Sequence, residues 1–375
     1  MSVITCHDCG LDQTYKPLNE GHRLLCCRCG GVLSVCRRQW LNCLMSFSLS
    51  GLVFLFLSLV FPFLSLQSHG IVQTVTLPSA IFMIWQSGYG LLSLILTVFT
   101  LLLPAIICLS MLYGLLPYRL GGSAFPGTSG LMHCVMRMQQ WSMAEVFIIG
   151  VLVSLIKLSS LADIQMGSSF WCYIGLSSCV IGIVLSLDKR QLQNIGVATV
   201  LPESPKKYSL QKCCSYLFTA CLLYVPANLL PITKTFMFGQ EDTVTILGSV
   251  ILLWSHGSWL VAGVIFMASI VIPIAKILAL GYLCLLVKME LLERPADLTK
   301  LYRWVEIVGR WSMIDVFVVA ILVSVVQFGG VASLTAEPGI LAFFGVVVLT
   351  MLAADHFDVR SLWQFAPSVT GQSDE

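Results

Sequence analysis

Charge is what this sequence has least of. Only 11% of its 375 residues are Asp, Glu, Lys or Arg, against ~25% in soluble domains, so the chain cannot cover a surface in water. With 57% hydrophobic residues and a mean hydropathy of +0.89, it reads as a polytopic membrane protein. A phosphate-binding loop of the form GxxxxGK[ST] is also lacking, which excludes ATP as the direct driver of this chain. The six histidines are scattered and occupy no repeated positions. No cysteine pair falls near the outer face, where Cys172 stands without an obvious partner. A membrane redox enzyme is therefore the weakest class, and no enzymatic activity is expected. Nucleic acid is not an expected partner either. No cleavable signal fits the N-terminus, because the first apolar run begins only near Asn42; residues 1–41 are expected to be a soluble segment.

That segment holds a concentration of cysteine. Cys6-His-Asp-Cys9-Gly and Cys26-Cys27-Arg-Cys29-Gly form two CxxCG turns. Each turn aims two thiolates at one tetrahedral Zn²⁺, and its glycine permits the positive φ that closes the knuckle. Cys6, Cys9, Cys26 and Cys29 are thus the expected ligands of one structural zinc in a ribbon, a closed site with no position left for catalysis. Cys27 and Cys36 are spare, and His22 is a weaker competitor. A reducing-side metal site suits this cluster better than disulfides.

Eight apolar runs follow, near 44–66, 88–116, 143–162, 169–187, 214–236, 258–287, 313–331 and 338–354. Each approaches the ~20 residues a spanning helix needs. The second and sixth are too long for an untilted crossing and carry Pro104 and Pro273, which should kink them, as hinges or as static bends. Lys and Arg gather before the first run, between the second and third, between the halves, and between the sixth and seventh. The alternate loops have almost none beyond Lys234. Both termini are therefore expected in the cytosol.

The chain is also duplicated. Trp141–Ser154 and Trp311–Ser324 agree at eight of fourteen positions. At an offset of 169, Pro62 matches Pro231, Thr74-Val-Thr76 matches Thr243-Val-Thr245, Trp85 matches Trp254 and Pro104 matches Pro273. The expected architecture is an all-α polytopic membrane protein of eight transmembrane helices in two tandem four-helix repeats, preceded by a small zinc ribbon. Its parts are the ribbon over 1–41, the first repeat over 42–188 and a cytosolic linker over 189–212. The second repeat covers 213–356, and a disordered cytosolic tail covers 357–375. An even number of spans per copy makes the repeats parallel. The segments Thr74–Trp85 and Thr243–Trp254 read as interfacial or re-entrant pieces, or as short outer helices packed on the bundle. The linker has no CxxC pair, so the second copy carries no ribbon.

The order of these motifs carries a resemblance. A CxxCG ribbon and four spans are followed by Leu223-Tyr-Val-Pro-Ala-Asn-Leu-Leu-Pro231, a Trp259 span with Ile272-Pro-Ile-Ala-Lys276, and Arg310-Trp-Ser-Met-Ile-Asp315. This resembles the paraquat-inducible protein A family over nearly the whole chain, without the second cysteine ribbon that many members carry. The resemblance implies an inner-membrane component of a Gram-negative intermembrane phospholipid transport system. Such a component works with a partner bearing MCE domains, whose tunnel crosses the periplasm. The role is loading or unloading lipid for that tunnel, or anchoring it as a scaffold without transport.

A charge in hydrocarbon costs at least ~2.5–3.5 kcal/mol on insertion scales, so the intramembrane polar residues are the candidates for function. Lys276, Ser312, Asp315 and Thr350 are expected to cluster, with Lys276 facing Asp315. In the first half Glu145 and Ser142 match Asp315 and Ser312, but Ile107 stands where Lys276 would be. Glu145 is thus expected to be buried without a basic partner, Lys157 being ~18 Å further along the helix at 1.5 Å per residue. The cluster reads as a proton relay driving lipid movement, as a register-fixing ion pair, or as a headgroup contact. Ser312 is expected to cap its helix and Trp311 to sit at headgroup depth.

Overall fold

A computed structural model describes residues 2–15, 22–35, 39–68, 71–121, 125, 127–158, 163–187, 209–237, 240–255, 257, 259–290, 294–314, 316–318, 320–321, 333–336 and 338–364. The first element is a pair of hairpins. β1 (Ser2–Thr5) pairs with β2 (Asp12–Tyr15), and β3 (Arg23–Leu25) pairs with β4 (Val32–Val35), both antiparallel. Each hairpin turns at a CxxCG knuckle. Gly10 and Gly30 take φ of 70° and 67°, and their N–H groups donate to the carbonyls of Cys6 and Cys26. A side chain there would be strained.

The rest of the chain repeats one order of elements. The first half runs α1 (Trp40–Val60), β5 (Leu64–Ser68), β6 (Ile71–Val75) and α2 (Leu77–Gln86). It continues through α3 (Gly90–Thr97), a π-helical bulge (Val98–Leu102), α4 (Leu103–Arg119), α5 (Thr128–Met138), α6 (Ala144–Leu158), β7 (Asp163–Met166) and α7 (Ser168–Ser186). The second half runs α8 (Ser209–Leu229), β8 (Thr233–Met237), β9 (Gln240–Val244) and α9 (Ile246–Ser255). There follow α10 (Trp259–Phe266), a π bulge (Met267–Val271), α11 (Ile272–Met289), α12 (Pro295–Gly309), a 3₁₀ turn (Arg310–Met313), helical residues within 314–321, β10 (Ser333–Ala336) and α13 (Pro338–His356). A short α14 (Ser361–Gln364) ends the described chain.

The structure is mostly helical. Among the described residues five helices are long and apolar enough to cross a membrane: Trp40–Val60, Gly90–Arg119, Ser168–Ser186, Ala262–Met289 and Gly339–His356. The all-α expectation is corrected by two small antiparallel sheets, ordered β6-β5-β7 and β10-β8-β9. The first apolar run was expected to span 44–66, yet its helix stops at Val60 and Leu64–Ser68 is a strand. Pro62 ends the helix, and the alternating Leu64-Ser-Leu-Gln-Ser has the period of two that suits a strand. The fifth run, 214–236, likewise divides into α8 and β8. The ends of the expected spans at 159–162 and 322–331 lie outside the described residues.

Thr74–Trp85 and Thr243–Trp254 are each the end of a strand followed by a ten-residue helix. Thr76 starts α2 with a capping box: its hydroxyl accepts from the Ser79 N–H, and the Ser79 hydroxyl accepts from the Thr76 N–H. The Thr245 hydroxyl accepts from the Gly248 N–H at the matching place. This repeated Thr-initiated helix is why the Thr-Val-Thr motif stands in both halves.

Where the two kinks were expected, each long helix carries a π-helical bulge. Each π bulge begins six residues before its proline, Pro104 or Pro273. Pro104 has no N–H to give to the carbonyl four residues back, that of Thr100. The buried Tyr173 hydroxyl donates to that oxygen at 3.0 Å. The two halves close on each other through α6 and the helical residues within 314–321. There the rings of Phe147 and Phe317 meet edge to face at 5.7 Å, and the Ser154 hydroxyl donates to the Gly150 and Val318 carbonyls at 2.8 and 3.3 Å.

Candidate metal centre and intramembrane polar site

The four expected ligands converge. Cys6, Cys9, Cys26 and Cys29 are all buried, and their sulfurs lie within 4.8 Å of one another. The Cys6–Cys29 and Cys9–Cys26 Sγ distances are both 3.5 Å. A tetrahedral Zn²⁺ with Zn–S bonds near 2.3 Å sets its sulfurs about 3.8 Å apart, so this donor set fits a metal ion. Burial pushes the Cys29 thiol up to about 11. At Cys26 burial acts the same way but is outweighed by the N–H groups of Cys29 and Arg28, which bring it down to about 7. A bound cation would hold all four as thiolates. Cys27 is exposed, and its thiol donates to Gln13 Oε1 at 3.2 Å. His22 is exposed too, and Cys36 lies outside the described residues.

The ribbon does not hang free. Arg303 of α12 pairs with Asp8, donating from Nε at 3.1 Å and again from Nη2. Its Nη2 also lies 3.8 Å from Cys29 Sγ. A Cβ on Gly31 would stand 2.7 Å from the same nitrogen, so glycine allows this close approach. Arg360 Nε donates to the His7 carbonyl at 3.1 Å, and Arg28 stacks 4.7 Å over the Trp363 ring. A hydrogen bond with His7, with help from Arg303, holds the Asp8 carboxyl down to about 2. The start of the tail expected to be disordered is therefore ordered: Phe357, Val359, Leu362 and Trp363 are buried with the cysteines and α12. Apolar Leu362 and Trp363 gain more from that surface than from water.

The second site lies at the same end of the molecule. Lys276 stands one turn beyond Pro273 on α11 and is only 2% exposed. Its Nζ donates to Thr350 Oγ1 of α13 at 3.2 Å and to the Gly309 carbonyl at the end of α12 at 3.5 Å. The Thr350 hydroxyl itself donates to the Val347 carbonyl. Lys276 and Thr350 are thus brought together as the sequence suggested. Asp315 and the Lys157 side chain lie outside the described residues.

Ser312 and Ser142 are both buried, yet neither hydroxyl has a hydrogen-bond partner among the described residues. The helix cap expected of Ser312 is therefore not made, and each hydroxyl is open to a water or another polar group. Glu145 corrects another expectation, because its side chain is exposed. It stands in the first turn of α6, where the helix dipole favours a carboxylate without a basic neighbour.

The halves differ chemically here. Ile107 and Val180, both buried, take the places of Lys276 and Thr350 at offsets of 169 and 170. Phe343 stands where the first half has Tyr173, and it has no hydroxyl to give. Among the described residues the Lys276–Thr350 pair thus has no polar counterpart in the first half. Sequence reasoning missed the surroundings of Lys276. Tyr302, Val305, Glu306 and Gly309 stand on α12 and line a cleft of about 50 Å³ with Lys276 and Asp355 of α13. Their spacing of i, i+3, i+4 and i+7 marks one helix face and was the available signal.

A family model for paraquat-inducible protein A matches the chain twice, over residues 41–195 and 210–366. The chain belongs to the paraquat-inducible protein A family. The two matches meet at the connector between the halves, and the ribbon precedes the first. Intermembrane transport protein PqiA of Escherichia coli K12 is 34% identical over 407 residues, covering 97% of this chain and 96% of that protein. Lipophilic envelope-spanning tunnel protein A of the same organism is 24% identical over 406 residues, covering 99% and 93%. A probable intermembrane transport protein of Haemophilus influenzae is 36% identical over 158 residues, 42% of this chain and 38% of that one. No solved structure matches. The match to PqiA-type transport proteins makes this chain a membrane component of an intermembrane transport system.

Proposed function

We propose that this chain is the inner-membrane subunit of an intermembrane phospholipid transport system, loading or unloading lipid for an MCE-domain tunnel protein, with proton movement through Lys276 as the drive. Eight transmembrane helices in two four-helix repeats place both termini in the cytosol, with one zinc structuring the ribbon. The observation that carries the coupling is the environment of Lys276. An amine that is 2% exposed sits in a long apolar helix, held by a hydroxyl and a carbonyl. Its counterpart in the duplicate is isoleucine, so the fold does not require a charge there. Keeping one at ~2.5–3.5 kcal/mol or more is explained if it binds and releases a proton during transport. Asp315 and the open hydroxyl of Ser312 complete the relay on this reading, with Ser142 and Glu145 as their weaker duplicates.

The test is reconstitution with the MCE partner in liposomes under an imposed proton gradient, following labelled phospholipid onto the tunnel. Gradient-driven transfer is expected. An intact complex that transfers nothing, or transfers independently of the gradient, supports the alternative of an anchoring scaffold.

A further inference from the structure

The cleft over Lys276 holds two carboxylates that the proposed function has not used. Glu306 comes from α12 and Asp355 from α13, both half-buried, while the amine they overlook is fully buried. Of the described groups lining the cleft, the titratable ones are Tyr302 and Glu306 on α12, Asp355 on α13 and Lys276 itself on α11. Tyr302 is committed elsewhere, since its hydroxyl donates to the Ala354 carbonyl at 2.9 Å. It walls the cleft and relays nothing.

Size decides what the cleft admits. Its volume is about 50 Å³. A water needs roughly 10–15 Å³ of such space, whereas ligand sites start near ~300 Å³. The cleft has room for a few waters and falls well short of a ligand site. Two acids, water and a buried amine make a path for protons.

We propose that Glu306 and Asp355 are the proton-exchange groups at the ribbon end of the path, passing protons through cleft water to and from the Lys276 amine. This rests on the reading of Lys276 as the coupling residue. The step balances simply. A carboxylic O–H bond breaks, the Nζ lone pair takes the proton by way of water, and the carboxylate left behind is reprotonated from the bulk. Release runs the same bonds in reverse.

The paired amides E306Q/D355N keep shape but cannot exchange a proton, while the swap E306D/D355E keeps both acids. In liposomes with the tunnel partner and a proton gradient, the amide pair should slow phospholipid transfer at least ~100-fold, the lower end of what proton-transfer groups supply. The swap should retain most of the parent rate. Equal slowing by both variants makes the role structural and overturns the proposal, as does a full rate in the amide variant of a gradient-driven parent. A parent indifferent to the gradient overturns the coupling reading and this proposal with it. A second readout is independent of transport. Reductive methylation of the full chain, read by mass spectrometry, should label Lys276 through the water-filled cleft; protection of Lys276 beside labelled surface lysines would show the cleft dry and leave only the coupling reading standing.

Discussion

Thr350 accepts a hydrogen bond from Lys276 at 3.2 Å while giving its own proton to the Val347 carbonyl at 2.9 Å. The threonine therefore serves the amine as an acceptor only. In the duplicate half the same two places hold Ile107 and Val180, both buried and without a polar side-chain atom. The molecule thus contains, in its own first half, the apolar version of its polar site.

That comparison gives a stability prediction. Thr350→Val removes the acceptor and leaves a buried donor short of a partner, which should cost about 1–3 kcal/mol. The double change K276I/T350V rebuilds the first-half pair and should recover most of that loss, because replacing both partners by apolar groups is close to neutral. Denaturation midpoints in detergent check it. A double variant as unstable as Thr350→Val would show that stranding the amine is not the cause.

Tyr173→Phe makes the first half resemble the second at Phe343. It deletes the bond to the carbonyl that Pro104 leaves open, at 3.0 Å. The expected loss is about 1 kcal/mol, seen as a lower unfolding midpoint with unchanged helical content. No change in midpoint would mean the Thr100 carbonyl finds another donor.

The ribbon should hold one zinc per chain. Cys6→Ser should lose it, because three thiolates leave a tetrahedral site open. Elemental analysis of purified protein measures this directly, and protein that carries no metal while its four cysteines are intact would refute the zinc assignment.

Docking of the ribbon is separable from metal binding by its cysteines. Arg303→Met keeps the apolar stem but removes the charge that meets Asp8. Both side chains are about one-third exposed, 33% and 27%, so the pair is worth at most ~1 kcal/mol, a factor of about five in docking. Hydrogen exchange should quicken across the ribbon hairpins and leave α1 and α7 unchanged. Equal protection in the variant would assign the docking to Trp363 and its apolar neighbours alone.

Much of this was legible in the residues. CxxCG spacing foretold the four-cysteine cluster because a short knuckle leaves little freedom in where its two sulfurs point. The 169-residue offset paired Pro104 with Pro273 and so marked where both long helices depart from regular geometry, because a proline withdraws its N–H wherever it stands in a helix. The sheets were hidden: Leu64-Ser-Leu is short enough to pass for the end of an apolar run until the strand's partners, far away in sequence, are known. Glu145 was misjudged because sequence depth along a helix does not say which side of it faces the bundle. Glu306 and Asp355 went unnoticed for a similar reason. Each is an ordinary acid on a partly polar helix, and only the packing of α11, α12 and α13 brings them to the cleft that Lys276 lines. The ordered start of the tail, Phe357 to Trp363, was missed because its partner surface comes from the opposite end of the chain.

Coupling of proton movement to lipid transfer by Lys276 is put to the test by the K276I/T350V variant. Reconstituted with the tunnel partner in liposomes under a proton gradient, it should fold, keep its zinc and bind the partner, yet transfer labelled phospholipid at the rate seen without a gradient. Transfer that still rises with the gradient, as in the parent protein, would show that Lys276 is not the coupling residue.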